Sequence, residues 1–294
     1  MEVEKPLISI IVNCYNSDKY LKETLESIIN QTYDNWEVIF WDNQSTDNSA
    51  QYFQSYNEVR FRYFYAPTFQ SLSTARNLAI EKARGDFLAF LDCDDVWIEE
   101  KLSLQMPNFS DPCVGIVYSK FDLIMESHSA SAIYMYRSFL KMPCVEHQRK
   151  NIYKKLLESN FIIFSSIIIR KSIFSLTKGF TNEFKHNEDY EILLKASLHS
   201  DAVCINKRAT KYRIHGDNNS HQNLEISFSE NRAILQSLPK SKSVQRAIDR
   251  NEFRFMIHNI INHKKKDDIK YILKNRRMYR AFVEVALYRL KRFL

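Results

Sequence analysis

Asp86–Trp97 reads DFLAFLDCDDVW, and the rest of the chain is organised around it. Phe87–Leu91 is a short, nearly unbroken apolar run, the pattern of a strand buried on both faces. It stops at Asp92, Asp94 and Asp95. Three carboxylates crowded at the end of a buried strand resist ionising together. A hard divalent cation relieves that repulsion, and Asp92 and Asp94 can offer oxygens to one Mg²⁺ or Mn²⁺ ion. The competing reading of an isolated D-x-D is a polar turn in which Asp95 caps the following helix.

Upstream, Leu7–Asn13 (LISIIVN) reads as a buried strand, and Ser17 as the cap of a helix over Asp18–Asn30 with Leu21, Leu25, Ile28 and Ile29 on one face. Trp36–Trp41 is a second strand ending at Asp42, followed by a helix from Ser45 or Thr46 to about Tyr56. Val59–Tyr65 is a third strand, and Ser73–Ala83 a helix that Gly85 closes as a C-terminal glycine. Downstream, Trp97–Met106 reads as helix and Val114–Tyr118 as a fifth strand. Strands alternating with helices predict an α/β fold with a mainly parallel sheet flanked by helices. In such sheets ligands bind beyond the carboxyl ends of the strands. Asn13-Cys14-Tyr15, Asp42 and Asp92/Asp94 all follow such ends, so distant stretches deliver polar groups to one rim.

Beyond Ser119 the pattern changes. Phe121–Met142 has no clear periodicity, Gln148–Glu158 reads as helix, and Phe161–Arg170 as a second strongly apolar strand. Asn187-Glu188-Asp189 opens a helix to about Leu198, with acids where the helix dipole favours them. Ala202–Asn206 and Thr210–Ile214 read as strands, His215–Ser220 as a polar loop, and the chain is helical from about Gln222.

Taken together these stretches resemble a family 2 glycosyltransferase of the GT-A fold. The matching segments are Ser9–Ser49, Ser73–Trp97 (STARNLAIEKARGDFLAFLDCDDVW), Ser165–Phe174, Gly179–Ser197 (GFTNEFKHNEDYEILLKAS) and Tyr212–Ser220 (YRIHGDNNS), in the family's order. The resemblance implies a Rossmann-like GT-A domain over residues 1–220, with a nucleotide-binding half over about 1–119 and an acceptor half over 120–220. Residues 221–294 then form a helical C-terminal extension. It implies transfer of a sugar from a nucleotide donor, a UDP-sugar, to an acceptor hydroxyl with inversion, in surface polysaccharide or lipid-linked glycan assembly. Asn13, Cys14 and Tyr15 match the first nucleotide loop, though Asn13 and Cys14 depart from its usual Pro-Thr pair, which leaves backbone and Tyr15 contacts. Asp42 matches the acid that contacts base or ribose, and Arg76 the arginine of the ARN segment at the base. Asp94 matches the direct ligand of Mn²⁺ or Mg²⁺, Asp92 lies nearer the ribose and the metal's water shell, and His215 matches a histidine at the metal or diphosphate. Glu188 and Asp189 match the acidic pair in which the aspartate is the general base. Two other readings stay open: a degenerate glycosyltransferase-like binding protein, and an aspartate-nucleophile phosphatase with Asp92 as nucleophile, since LDCDDV also fits that motif.

Composition narrows the alternatives. Four glycines leave no Gly-rich phosphate loop of the P-loop or dinucleotide-binding kind. The five cysteines have no CxxC spacing and read as reduced thiols in a cytoplasmic setting. Met1–Lys5 is charged and gives no signal-peptide pattern, and no apolar run approaches the roughly 20 residues of a membrane span. The net charge of +7 resides in the tail: Lys264–Leu294 carries +8 and residues 1–263 carry −1, so no nucleic-acid surface is expected on the main domain. In that tail Tyr279, Phe282, Val283, Ala286, Leu287 and Leu290 recur at helical spacing among Arg and Lys. The pattern fits either a peripheral contact with an anionic membrane face or packing on protein.

Overall fold

A computed structural model describes residues 5–126, 147–216 and 224–263. Nine strands among the described residues form one sheet, and most of its path has the order β3-β2-β1-β4-β8-β6-β9-β5. Its first part is parallel: β1 (Ile8–Cys14) lies between β2 (Trp36–Asp42) and β4 (Phe87–Phe90), and β3 (Phe61–Tyr65) joins outside β2. Every residue of β2 and β4 is buried, as strands covered on both faces require. Helix α1 (Asp18–Ile29) contributes Leu21, Leu25 and Ile28 to the core that holds Ile8, Ile10, Val12, Val38, Phe40 and Phe53. Each such side chain contributes about 1.5–3 kcal/mol by leaving water.

Local chemistry moves several expected boundaries. Ser17 occupies the N-cap position of α1 but its hydroxyl donates to Tyr15 O; the Asp18 amide is satisfied by the Asp47 carboxylate at 2.9 Å. Residues 43–48 form a loop, so α2 starts later, at Ser49–Ser55. Helix α3 (Leu72–Glu81) is capped by Ser71, which accepts from the Thr74 amide. Gly85 does not end it in a left-handed turn. A Cβ at Gly85 would lie 2.6 Å from Leu7 O and 2.8 Å from Ser9 N, so glycine lets the chain pass close to the start of β1.

After β4 the chain forms β5 (Val96–Trp97), α4 (Lys101–Gln105) and a 3₁₀ turn at Met106–Ser110, where a single helix is expected. Strand β6 (Val114–Met125) runs on past Tyr118, β7 is His147–Lys150 and α5 is Tyr153–Leu156. The apolar run Phe161–Arg170 is not one strand. Its two serines fall in a 3₁₀ turn, Phe164–Ser166, and only β8 (Ile168–Arg170) joins the sheet, antiparallel to β4 and β6. Helices α6 (Lys171–Leu176) and α7 (Glu188–Ser197) follow. The two strands expected after α7 are one, β9 (Asp201–Ile214), parallel to β6 and antiparallel to β5 and β7.

The chain divides into two compact units, residues 1–153 with 161–217, and residues 154–160 with 218–294. The first holds the sheet. The second contains α8 (Leu224–Ser237) and α9 (Lys242–His263), joined by contacts such as Phe228 against Phe255. The basic stretch Lys264–Leu294 and most of Phe121–Met142 lie outside the described residues. No described helix is long and apolar enough to cross a membrane.

Candidate active site

The carboxyl ends of β1, β2 and β4 meet at one rim. Cys14 is paired in register with Asp42, and the Cys93 thiol donates to Asn13 O at 3.2 Å. Asp42 is fully buried. Its Oδ1 accepts from the Ser45 amide at 2.7 Å and its Oδ2 from the Tyr63 hydroxyl at 2.6 Å. Both oxygens of the expected nucleotide-contacting acid are thus occupied by its own loop and the neighbouring strand. Asn43 continues that framework, accepting from Gln70 N at 3.0 Å and donating to Gln70 O at 2.9 Å. Tyr15 stands at the open edge, half exposed, its ring 4.9 Å from that of Phe69.

The D-x-D loop is held from several elements. The Asp92 amide donates to Ser165 Oγ at 3.2 Å, and the Asp95 amide closes a turn onto Asp92 O. Arg76, on α3, is only 5% exposed. Its guanidinium donates to Asp92 Oδ1 at 3.1 Å and Glu188 Oε1 at 2.9 Å, and lies near the rings of Phe164 (5.0 Å) and Phe180 (5.5 Å). Arg76 therefore ties the D-x-D motif to the start of α7. Across the loop, His215 Nε2 lies 2.8 Å from Asp94 Oδ2. Burial is the first cause holding the Asp95 carboxyl well above the usual carboxylate range, with Asp94 and Asp92 adding to it.

The acidic pair on α7 divides into two environments. Glu188 is buried against Arg76. Asp189 is partly open and accepts from the Tyr190 amide at 2.6 Å. Burial, then the neighbouring Glu188, push the Asp189 carboxyl up to about 7 against the pull of Arg76. That places a proton acceptor near neutral pH, where general-base catalysis is most effective.

A divalent cation fits this donor set in part. Asp94 and His215 already face each other, and Asp92 is close enough to Asp94 to raise its own repulsion. No group of three His, Cys, Asp or Glu side chains able to hold a metal occurs among the described residues. The described residues thus offer an incomplete shell, which suits an ion that also takes phosphate oxygens. Buried polar atoms without a hydrogen-bond partner include Asn13 Nδ2, Tyr20 OH and Glu188 Oε2, all on residues of this rim or next to it. Such atoms need an explanation, and a bound polar ligand is one.

Sequence reasoning missed Tyr63, Ser165, Tyr20 and Arg213. Tyr63 looks like an ordinary strand residue, and Tyr20 like part of the α1 face. Ser165 opens the matching segment Ser165–Phe174 and Arg213 lies inside the quoted YRIH segment, both without a role.

The glycosyl transferase family 2 model matches residues 9–175, more than half of the chain, and the chain belongs to that family. Glu188, Asp189 and His215 lie past the matched residues. The chain is 27% identical over 210 residues to the UDP-Glc:alpha-D-GlcNAc-diphosphoundecaprenol beta-1,3-glucosyltransferase WfgD of Escherichia coli, covering 71% of this chain and 77% of that protein. Its fold is similar to that of S. aureus TarS 1-349 in complex with UDP-GlcNAc, with a TM-score of 0.66 at 20% identity, over 87% of this chain and 74% of the other. It is also similar to that of the mannosyltransferase PcManGT from Pyrobaculum calidifontis, in complex with GDP-Man and Mn²⁺, with a TM-score of 0.64 at 14% identity, over 98% and 81% of the two chains. The fold is therefore the GT-A glycosyltransferase fold.

Proposed function

We propose that this chain transfers a sugar from a UDP-sugar to an acceptor hydroxyl with inversion at the anomeric carbon, with Asp189 as the general base. The observation that carries this reading is the division of the acidic pair. Glu188 is locked to Arg76, whereas Asp189, next to it, is partly open with its carboxyl pushed up to about 7. A base near the operating pH takes the acceptor proton as the new bond forms and holds it afterwards. Asp94 and His215, with Asp92 beside them, would hold Mn²⁺ or Mg²⁺. Bound there, the ion would offset charge on the departing diphosphate.

Within this reading Asn13, Cys14 and Tyr15 line the nucleotide site, with Tyr15 offering an exposed ring at the edge. We assign Asp42 and Arg76 a part beyond the nucleotide contacts that the family resemblance implies. With both oxygens engaged, Asp42 shapes the loop that faces the nucleotide, and Arg76 orients Asp92 and Glu188. Catalysis is assigned to residues 1–220, and residues 221–294 are given no catalytic role. The likeness to WfgD, named for a diphosphoundecaprenol-linked acceptor, supports lipid-linked glycan or surface polysaccharide assembly as the setting. The basic stretch Lys264–Leu294 would then bring the chain to an anionic membrane face.

Nucleoside diphosphate release over a panel of UDP- and GDP-sugars with Mn²⁺ tests the reading. Release from a UDP-sugar is expected, and Asp94→Ala should abolish it. The anomeric configuration of the product by NMR tests inversion. Binding of UDP without turnover on any donor and acceptor would favour a binding protein instead.

A further inference from the structure

Asp92, Asp94 and Asp95 crowd one strand end, and the fold places two buried guanidiniums around them. Arg76 takes Asp92 from the α3 side. Arg213, near the end of β9, is 3% exposed and meets the other two residues through one backbone carbonyl and its own backbone amide. Its Nε donates to Asp94 O at 2.8 Å, and its backbone amide donates to Asp95 Oδ1 at 3.0 Å. Its two terminal nitrogens donate to Glu126 Oε1, at 2.6 Å, and to the Glu23 carboxylate. The guanidinium lies 4.4 Å over the ring of Tyr20, and the same ring is 5.3 Å from that of His215. Tyr20 and Glu23 are three residues apart on α1, so they share one face of it. Helix α1, strand β9 and the D-x-D loop therefore converge on one side chain.

We propose that Arg213 is the positioning residue of the D-x-D loop. It fixes the peptide between Asp94 and Asp95, and so presents the Asp94 carboxylate beside His215 for a cation and diphosphate. This rests on the metal-dependent donor reading above. Glu23 and Glu126 balance the charge of Arg213 and allow it to be buried. Its contribution is then directional. A planar fork reaches two carboxylates and a carbonyl at once, whereas a lysine ammonium is a point charge that cannot span them.

Two measurements on the full chain decide this. The first is hydrogen exchange without nucleotide or metal, following amides 91–97 in the wild type, Arg213→Lys and Arg213→Gln. Both variants should exchange roughly tenfold faster there, the effect of losing a hydrogen bond to a charged group, with Trp36–Asp42 unchanged. The second is Mn²⁺ titration in the presence of UDP. Affinity should fall by about tenfold or more in both variants, the usual penalty for losing a partner that orients a ligand, while UDP binding in chelator stays as in wild type. Should Arg213→Lys match the wild type in both measurements, or should thermal stability fall with no change in either, positioning by Arg213 is wrong. If Arg213→Gln does not fold, Glu126→Gln removes one of the two carboxylates and should loosen 91–97 to a smaller degree; no loosening overturns the proposal. Wild-type protein that takes up no UDP with Mn²⁺ defeats the donor reading, whereas exchange at 91–97 still judges Arg213.

Discussion

The rim has two sides built from the same residue types with opposite degrees of satisfaction. Around β1 and β2, Asp42 is sealed: both oxygens accept from the protein and no part of it meets solvent. Around β4, α7 and β9, the carboxylates of Asp92, Asp94 and Asp189 stay partly open while buried arginines hold their neighbourhood. An aspartate buried away from solvent with both oxygens bonded internally serves first to shape the fold. One left partly open beside other charged groups can still take up a proton or an ion. The contrast separates scaffold from chemistry more sharply than the identity of the residues does.

The largest effect should come from the tie between the two sides of the chemistry. Arg76→Gln leaves Glu188 buried without its cation and should cost about 3 kcal/mol of stability, read by denaturant unfolding. A fully stable variant would mean that Arg76 does not tie the D-x-D motif to the start of α7. Asp189→Asn should lower kcat by roughly 10²-fold or more with donor affinity kept. If Glu188→Gln proves the more damaging, the roles within the pair are exchanged.

The pH dependence sharpens the same point. Asp189 is raised from an ordinary 3.8 to about 7 by burial and Glu188, with Arg76 opposing. Between those values the folded chain holds the proton that the unfolded chain has lost. Its contribution to stability is therefore complete below the lower value and declines as pH rises toward the upper one. Catalysis should run the other way, with kcat expected to rise through a midpoint near pH 7 that Asp189→Asn removes. A flat kcat profile from pH 5.5 to 8.5, roughly the span that brackets such a group, would remove Asp189 from the role of base.

On the sealed side, Asp42→Asn should cost about 2 kcal/mol by mismatching one of two donors, and leave the donor KM of the folded variant nearly unchanged. A KM effect without loss of stability would break the comparison and return Asp42 to direct nucleotide contact. A smaller effect concerns Lys101, fully buried with its Nζ 2.7 Å from Gln105 Oε1 and 4.0 Å from the centre of the Trp97 ring. Burial holds its pKa well below the ordinary 10.5, so below that value the unfolded chain binds the extra proton and stability should rise as pH climbs toward 10.5. Lys101→Met should flatten that slope in thermal unfolding measured across pH.

Apolar periodicity and its interruptions determined a good deal by themselves. The buried runs at Ile8–Cys14, Trp36–Asp42 and Phe87–Phe90 are legible because a strand covered on both faces reads as a near-continuous apolar run, interrupted here only at Ser9, Asn13, Glu37 and Asp42. Their shared rim follows from the rule that connects such strands, and it brings Asn13, Asp42 and Asp92 together before any coordinate is known. What the one-dimensional pattern could not decide is which polar atoms find partners. Whether Asp42 is open depends on a tyrosine 21 residues away, and whether Arg76 meets a base or a carboxylate depends on Glu188, 112 residues on. Arg213 reaches the D-x-D loop from 119 residues beyond Asp94. Hydrogen bonding is short-ranged and directional, so such assignments are made only when tertiary packing brings the two groups within about 3 Å.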